Sequence, residues 1–364
     1  MLGVAIVGGG LAGLSLAKHL LGSSREVAVF EAAERFGGRI LSTHARDGFA
    51  HDLGPGWIWP VLQPRLARLV EEGEIRVFPQ WLEGNALYQM DRSTEPQAYI
   101  DRETYADARR IEGGAYQLVE KLLQQIPSPL LHTGHRLLKV IDQGQHVELH
   151  FSTYGSEQQG TEQIVLARQV VLTVPPRLLV NTVTFVPELA PEFEALLNNT
   201  PTWMAGHAKA VVSYPHPFWR EAGYSGAALA RYQGAALAEV FDASSVDGEQ
   251  AALGGFFALP ATLREEYRDD LPALLQEQLV RLFGAEAAKP NEIMIRDWCT
   301  ESLTATAADA QPPQTHPQYG HRWLQLDHWN DKLYFGGTES ASDYGGYLEG
   351  ALEAAERVAR SLSL

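Results

Sequence analysis

The chain enters a strand–glycine–helix–strand pattern almost at once, and no other feature constrains its fold as tightly. Residues 3–8 are small, β-branched and apolar, which predicts a short buried strand. Gly8, Gly10 and Gly13 follow in the spacing Gly-x-Gly-x-x-Gly, then a helical stretch from Leu11 through Ala12 to Leu21, then a second strand from Val27 to Glu31. A β-α-β unit of about 30 residues with such glycines is the dinucleotide-binding half of a doubly wound sheet. The glycines permit a tight turn, close approach of backbone to a pyrophosphate and close helix–strand packing, and the helix N-terminus faces the phosphates. Glu31 ends the second strand, where a carboxylate accepts hydrogen bonds from ribose hydroxyls.

Two further segments narrow the dinucleotide. Gly37-Gly38-Arg39 places a guanidinium on a glycine-rich loop, suited to pairing with a pyrophosphate. A protein that binds only a nicotinamide dinucleotide has no need of it. Far along the chain, Gly336-Gly337-Thr338-Glu339 and Gly345-Gly346-Tyr347-Leu348-Glu349-Gly350 form a second glycine cluster. Together they suggest a flavin whose redox ring lies beside the C-terminal helix. The start of that helix offers free N–H groups and a positive dipole end to negative charge on a reduced flavin.

The 364 residues favour two domains, or one large domain with insertions. A net charge of −16 argues against nucleic acid and against an anionic membrane surface as partners. One cysteine, Cys299, rules out an intrachain disulfide and fits a reducing compartment. No apolar run of about 18 residues is present, so no transmembrane span is expected. The expectation is a cytoplasmic protein acting on a small molecule.

Leu66, Leu69 and Val70 mark one face of a helix after Trp59-Pro60, and an amphipathic helix runs from Tyr116 to Gln125. Alternation over 137–142, 146–152 and 164–173 predicts a β-meander with a polar turn at 156–160, ended by Val174-Pro175-Pro176. Strands are expected at 208–214, 237–241, 253–258 and 333–335, and helices at 262–283 and 347–361. The nucleotide-binding pieces lie at both ends. The expected class is therefore α/β, with residues 1–62, 112–185 and 300–364 forming a discontinuous Rossmann-like domain. Residues 63–111 and 186–299 would form an inserted mixed sheet and helix domain for substrate.

Read across its length, the chain resembles the flavin-containing amine oxidases of the monoamine and polyamine oxidase type. The resemblance is carried by the N-terminal glycines with Glu31, Gly37-Gly38-Arg39, Asp52-Leu53-Gly54-Pro55-Gly56, Gly113-Gly114, Val170 to Pro176, Lys209 to Trp219, Asp297-Trp298 and Phe335 to Ala351. It implies non-covalent FAD, with contacts from Gly8, Gly10, Leu11, Ala12, Gly13, Glu31, Gly37, Gly38, Arg39, Gly54, Pro55, Gly56, Trp57, Leu138, Val174, Trp298, Gly337, Thr338, Glu339, Gly346, Tyr347 and Leu348. It also implies that Lys209 holds a water at the flavin N5 atom and assists reoxidation by oxygen. A lysine inside an apolar strand is costly unless its ammonium is paired or reaches water, and a solvent-facing edge strand is the plain alternative.

Tyr347 matches one half of the aromatic cage that flanks the amine in monoamine oxidases. The other half falls near Ala307-Ala308, where no aromatic stands, and Trp57 offers a replacement wall. The matching covalent cysteine would also fall near Ala307, which leaves Cys299 as a packing residue. Arg231, Arg102 and Arg109 are the candidates for holding a substrate carboxylate. The 12 histidines show no metal-ligand spacing, and His316, His321 and His328 cluster only in sequence. The expected activity is oxidation of an amine by hydride transfer to flavin N5, with oxygen as acceptor. A flavin desaturase acting on a carbon–carbon bond and a non-turnover FAD-binding protein are the alternatives.

Overall fold

The computed structural model describes residues 1–45, 48–155 and 158–363. Ser156 and Glu157, in the expected polar turn, lie outside the described residues. The first sheet is built on the strand Leu2–Val7, flanked in parallel by Val27–Phe30 and by the end of the long strand Gln158–Leu172. Leu333–Phe335 pairs in parallel with Val170 to Leu172 on the other edge of that strand. The meander of His135–Asp142, Val147–Gly155 and Gln158–Leu172 extends the sheet antiparallel. Val4 to Val7, Val27–Phe30, Val170 to Leu172 and Leu333–Phe335 are apolar and buried because both faces of the sheet are covered there. Helices Leu11–Leu20, Gln117–Gln125 and Leu348–Ser363 pack on one face, around the fully buried Leu14 and Leu16. Burial of each such leucine is worth about 1.5–3 kcal/mol.

The second sheet has seven strands, in the order Glu292–Asp297, Ala208–Tyr214, Ala251–Phe257, Leu237–Asp242, Tyr224–Ala230, Asn85–Gln89 and Gln97–Tyr99. Alternation along a strand sends successive side chains to opposite faces. Ala208, Ala210 and Val212 join a core with Leu275 and Leu279 of helix Leu271–Phe283. Val211, Phe241 and Met294 pack on the other side with Trp57 and Phe256. That second face looks toward the first sheet.

Several expectations need correction. Residues 262–283 are two helices, Ala261–Glu266 and Leu271–Phe283. Pro272 lacks the N–H that a helix interior requires and opens the second helix instead. Leu66, Leu69 and Val70 of helix Pro64–Glu72 pack in the first-sheet core, and Glu349 of the last helix accepts from the Arg65 and Leu66 N–H groups. Phe193 and Leu197 of helix Pro191–Asn198 pack on the opposite face of the same sheet. Both helices therefore sit with the dinucleotide layer rather than with the second sheet, where divisions at 63 and 186 had put them. Residues 85–89 and 97–99, by contrast, add strands to the second sheet.

Candidate active site

The first strand stops at Val7 because Gly8 turns with φ +107°, in the left-handed region that disfavours side chains. A Cβ on Gly13 would lie 1.9 Å from the Gly8 carbonyl oxygen, so the helix seats on the strand end only with glycine there. Gly10, Leu11 and Ala12 then line a cavity of about 480 Å³ with the helix N-terminus at its wall. The Glu31 carboxylate accepts the Gly9 N–H at 2.6 Å and the Ala33 N–H at 2.8 Å, which fixes the turn against the second strand. Burial raises the Glu31 pKa, and those backbone donors oppose the rise.

Arg39 reaches from the glycine loop to Glu339, Nη2 to Oε1 at 2.7 Å, and Glu339 is fully buried. Arg39 Nη1 and Glu339 Oε2 have no partner among the described residues, although both are buried. A guanidinium N–H left open on a cavity wall beside a helix N-terminus fits a pyrophosphate. Arg35, also at the wall, spends its donors on the carbonyls of Phe36, Gly38 and Ile40 and so shapes the loop.

The other end of the cavity meets the second sheet. Lys209 lies on a central strand, paired on both sides, so the edge-strand alternative fails. Its side chain is buried and its ammonium donates to the Gly54 carbonyl at 2.9 Å. The rings of Trp57, Phe241 and Phe256 stand 5.7, 5.4 and 5.7 Å from Nζ. Burial lowers its pKa to about 8, opposed by the charge of Asp52 and reinforced by that of Arg110. An ammonium has three donors, and Gly54 takes one of them.

Thr338 organises the turn before the last helix. Its hydroxyl donates to the Tyr347 carbonyl at 2.8 Å and accepts the Gly346 N–H at 3.0 Å. Tyr347 lines the cavity, and its ring stacks on His316 at 5.0 Å and 10°. The helix begins at Leu348 rather than Tyr347. Trp298 donates from its indole to the Leu53 carbonyl at 2.9 Å, which holds the Gly54–Gly56 segment over the second sheet.

Most of the residues singled out from sequence meet at this one cavity: Gly8, Gly10, Leu11, Ala12, Glu31, Gly37, Gly38, Arg39, Gly54 to Trp57, Val174, Trp298, Lys209, Thr338, Gly346, Tyr347 and Leu348. Gly13, Gly337 and Glu339 stand behind the wall as packing and ion-pair supports. Leu138 is a correction. It is 40% exposed at an irregularity of its strand, and Leu137 lines the cavity with His135 and Arg136 instead.

Arg231, Arg102 and Arg109 do not line the cavity either. Arg231 and Arg102 are exposed, and the backbone of Arg109 pairs with Ile58. Cys299 lies off the wall, where burial raises its thiol pKa. Among the described residues no group of three or more His, Cys, Asp or Glu is placed to hold a metal ion.

Sequence reasoning missed Trp203, His207, Phe256 and Leu303 at the wall. Trp203 packs where a Gly346 Cβ would be, 2.9 Å away, so an aromatic from a distant segment stands beside Tyr347. Ala307 and Ala308 form a short 3-10 turn closed by Thr306 and Asp309. No spacing rule points from that gap to Trp203.

A dinucleotide cradle on one sheet, opening into a chamber roofed by a second sheet, defines a two-layer oxidoreductase. The chain belongs to the flavin containing amine oxidoreductase family, whose model matches residues 91–363, and a model for an NAD(P)-binding Rossmann-like domain matches residues 6–72. Its cofactor is FAD. The chain is similar to the flavin-containing amine oxidase of Danio rerio, 24% identical over 99% of this chain and 85% of the relative, and to amine oxidase B of Sus scrofa, 26% identical over the same shares. In fold it is similar to wild-type putrescine oxidase bound to putrescine, with a TM-score of 0.80 at 18% identity over 100% of this chain and 99% of that one. It is likewise similar to cyclohexylamine oxidase from Brevibacterium oxydans IH-35A, with a TM-score of 0.78 at 18% identity, covering 100% and 98% of the two chains.

Proposed function

We propose that this protein oxidises a small amine, with Lys209 and Tyr347 at the reacting end of the cavity. FAD, when bound, would supply the two-electron acceptor for hydride transfer from the amine α-carbon and the route by which those electrons reach oxygen to give hydrogen peroxide. The observation that carries this reading is Lys209, a buried ammonium on a central strand, aimed at the wall of the chamber that the dinucleotide cradle opens into.

The residues divide the remaining work. Gly54 O holds one Lys209 donor, which leaves two for a water at the cavity wall. With a pKa of about 8, Nζ gives up and regains a proton more readily near neutral pH than a surface lysine. Tyr347, Trp203, Trp57 and Phe256 make the chamber apolar, so a neutral amine is favoured over its charged form. No side chain needs to act as a base when the amine arrives neutral. The imine leaves and hydrolyses in water.

The test is anaerobic mixing of the flavin-loaded protein with amines, polyamines and amino acids, followed by oxygen. Bleaching of the flavin absorbance by an amine, with recovery and peroxide on aeration, is the expected result. A bound flavin that no amine reduces would overturn the reading and favour a desaturase.

A further inference from the structure

The segment from Asp52 to Gly56 is a partition between two cavities. Leu53, Gly54, Pro55 and Gly56 line the chamber already described, together with Lys209. Asp52 lines a second cavity of about 480 Å³, with Arg110, His44, Gln117, Ser244 and Asp247. Lys209 reaches the partition from the first chamber, where its ammonium donates to the Gly54 carbonyl. A Cβ on Gly56 would lie 3.2 Å from Lys209 Nζ and 3.9 Å from the Asp52 Cβ. The ammonium and the Asp52 side chain therefore flank the space over one glycine.

Two charges stand at the second cavity, each held in place. Asp52 is buried, and its Oδ1 accepts the Ser42 hydroxyl and the Ala115 N–H, the latter at 2.8 Å. Arg110 donates to the carbonyls of Ser244 and Ala243 at 2.6 and 3.0 Å, and its guanidinium lies 5.5 Å from the centre of the Phe78 ring. Neither side chain lines the first chamber. Both act on Lys209 through their charge, Asp52 favouring the ammonium and Arg110 opposing it. The other charged groups around Lys209 are engaged elsewhere. Arg296, opposite it on strand Glu292–Asp297, pairs with Glu301. His207, two places earlier in the chain, has its pKa pushed down by burial and by Arg264. Glu239, one strand beyond Phe256, accepts the Tyr105 hydroxyl.

We propose that Asp52 and Arg110 are positioning residues that set, from a second cavity, how much of Lys209 is charged when oxygen reacts. The inference rests on the oxidase reading above for its consequence and concerns the regulation of that same site. A carboxylate near an ammonium favours its charged form, and a guanidinium favours its neutral form. Away from bulk water such charges are only weakly screened. Asp52 and Arg110 thus bias Lys209 without forming any wall that meets cofactor or substrate. Their own cavity carries the exposed His44 and Asp247 at its wall, so the pair borders solvent on its own side of the partition.

The experiment reads Lys209 directly in the FAD-loaded protein, by NMR with lysine labelled with ¹³C at Cε. The chain has six lysines, and the Lys209 signal is the one missing from Lys209→Met. Its titration in wild type should centre on about 8. Asp52→Asn keeps the Oδ1 acceptor and removes the charge, and it should lower that midpoint by about one pH unit. Arg110→Gln should raise the midpoint by about as much. A merely structural role would not give opposite signs, because loosening that admits water moves Lys209 up toward its ordinary value in both variants. A midpoint in Asp52→Asn that stays or rises overturns the proposal. If Asp52→Asn does not fold, Arg110 carries the test: Arg110→Gln should raise the midpoint and Arg110→Lys, which keeps the charge, should leave it in place, and any other pattern overturns the proposal. The second readout is flavin photoreduced without substrate and then mixed with oxygen, whose pH break should follow the NMR midpoint in each variant. Midpoints that move while the break stays would uphold this control of charge and sink the role of Lys209 in the oxygen reaction instead.

Discussion

At the dinucleotide end the cavity is walled largely by backbone, with Gly8, Gly10, Gly37 and Gly38 leaving room for phosphates and Glu31 anchoring two N–H groups. At the Lys209 end it is walled by large side chains, Trp57, Trp203, Phe256 and Tyr347, drawn from four separate segments. The first region binds a constant partner, and its geometry is fixed by what glycine alone permits. The second meets a variable substrate and uses side chains that can be exchanged. Substitution should therefore destroy the first end and retune the second.

The largest expected effect is at Gly13. Gly13→Val puts a side chain where a Cβ already meets the Gly8 oxygen at 1.9 Å, and the purified protein should hold essentially no flavin by absorbance after desalting. Full flavin content would break the contrast between the ends. Next is Arg39→Met, which strands the fully buried Glu339 carboxylate. The expected cost is about 3–5 kcal/mol, read by denaturant unfolding.

Lys209→Met should spare both fold and flavin and slow reoxidation by oxygen roughly a hundredfold, measured by stopped flow. If the rate is unchanged, Lys209 has no part in the oxygen reaction. The same variant tests a pH effect. The folded pKa of about 8 lies below the unfolded 10.5, so the cost of charging Lys209 is fully present below pH 8 and fades between those values. Wild-type stability should rise relative to Lys209→Met across that window, and any reoxidation break near pH 8 should be absent from the variant. The smallest effect is at Tyr347. Tyr347→Leu should raise the KM for amine several-fold and retain flavin, and Tyr347→Phe should change little, because the ring rather than the hydroxyl forms the wall.

The same division governs what could be read from the sequence. Gly8, Gly10 and Gly13 announce their place because a tight turn between strand and helix restricts which residues fit, and Lys209 stands out because an apolar strand rarely carries a charge. Trp203 gave no such notice. It reaches Tyr347 through the third dimension, across more than a hundred intervening positions, and a tryptophan in a loop reads the same wherever it packs. Leu138, carried over from the family resemblance, failed for a local reason: the ladder is irregular between Leu137 and Lys139, and Leu137 faces the cavity in its place. The two helices near 64–72 and 191–198 look alike as amphipathic segments, and nothing in their pattern says which sheet they cover.

The Arg39–Glu339 pair has a consequence for how the protein is made. The anchor of the phosphate loop is synthesised 300 positions after the loop itself. Strand Leu333–Phe335 and helix Leu348–Ser363 must also emerge before the first sheet and the layer over helix Leu11–Leu20 are complete. A ribosome carrying a partly made chain therefore presents a glycine turn with no closed nest around it. Acquisition of flavin becomes a late, nearly all-or-none event that reports on the whole polypeptide, and a truncated product should emerge colourless.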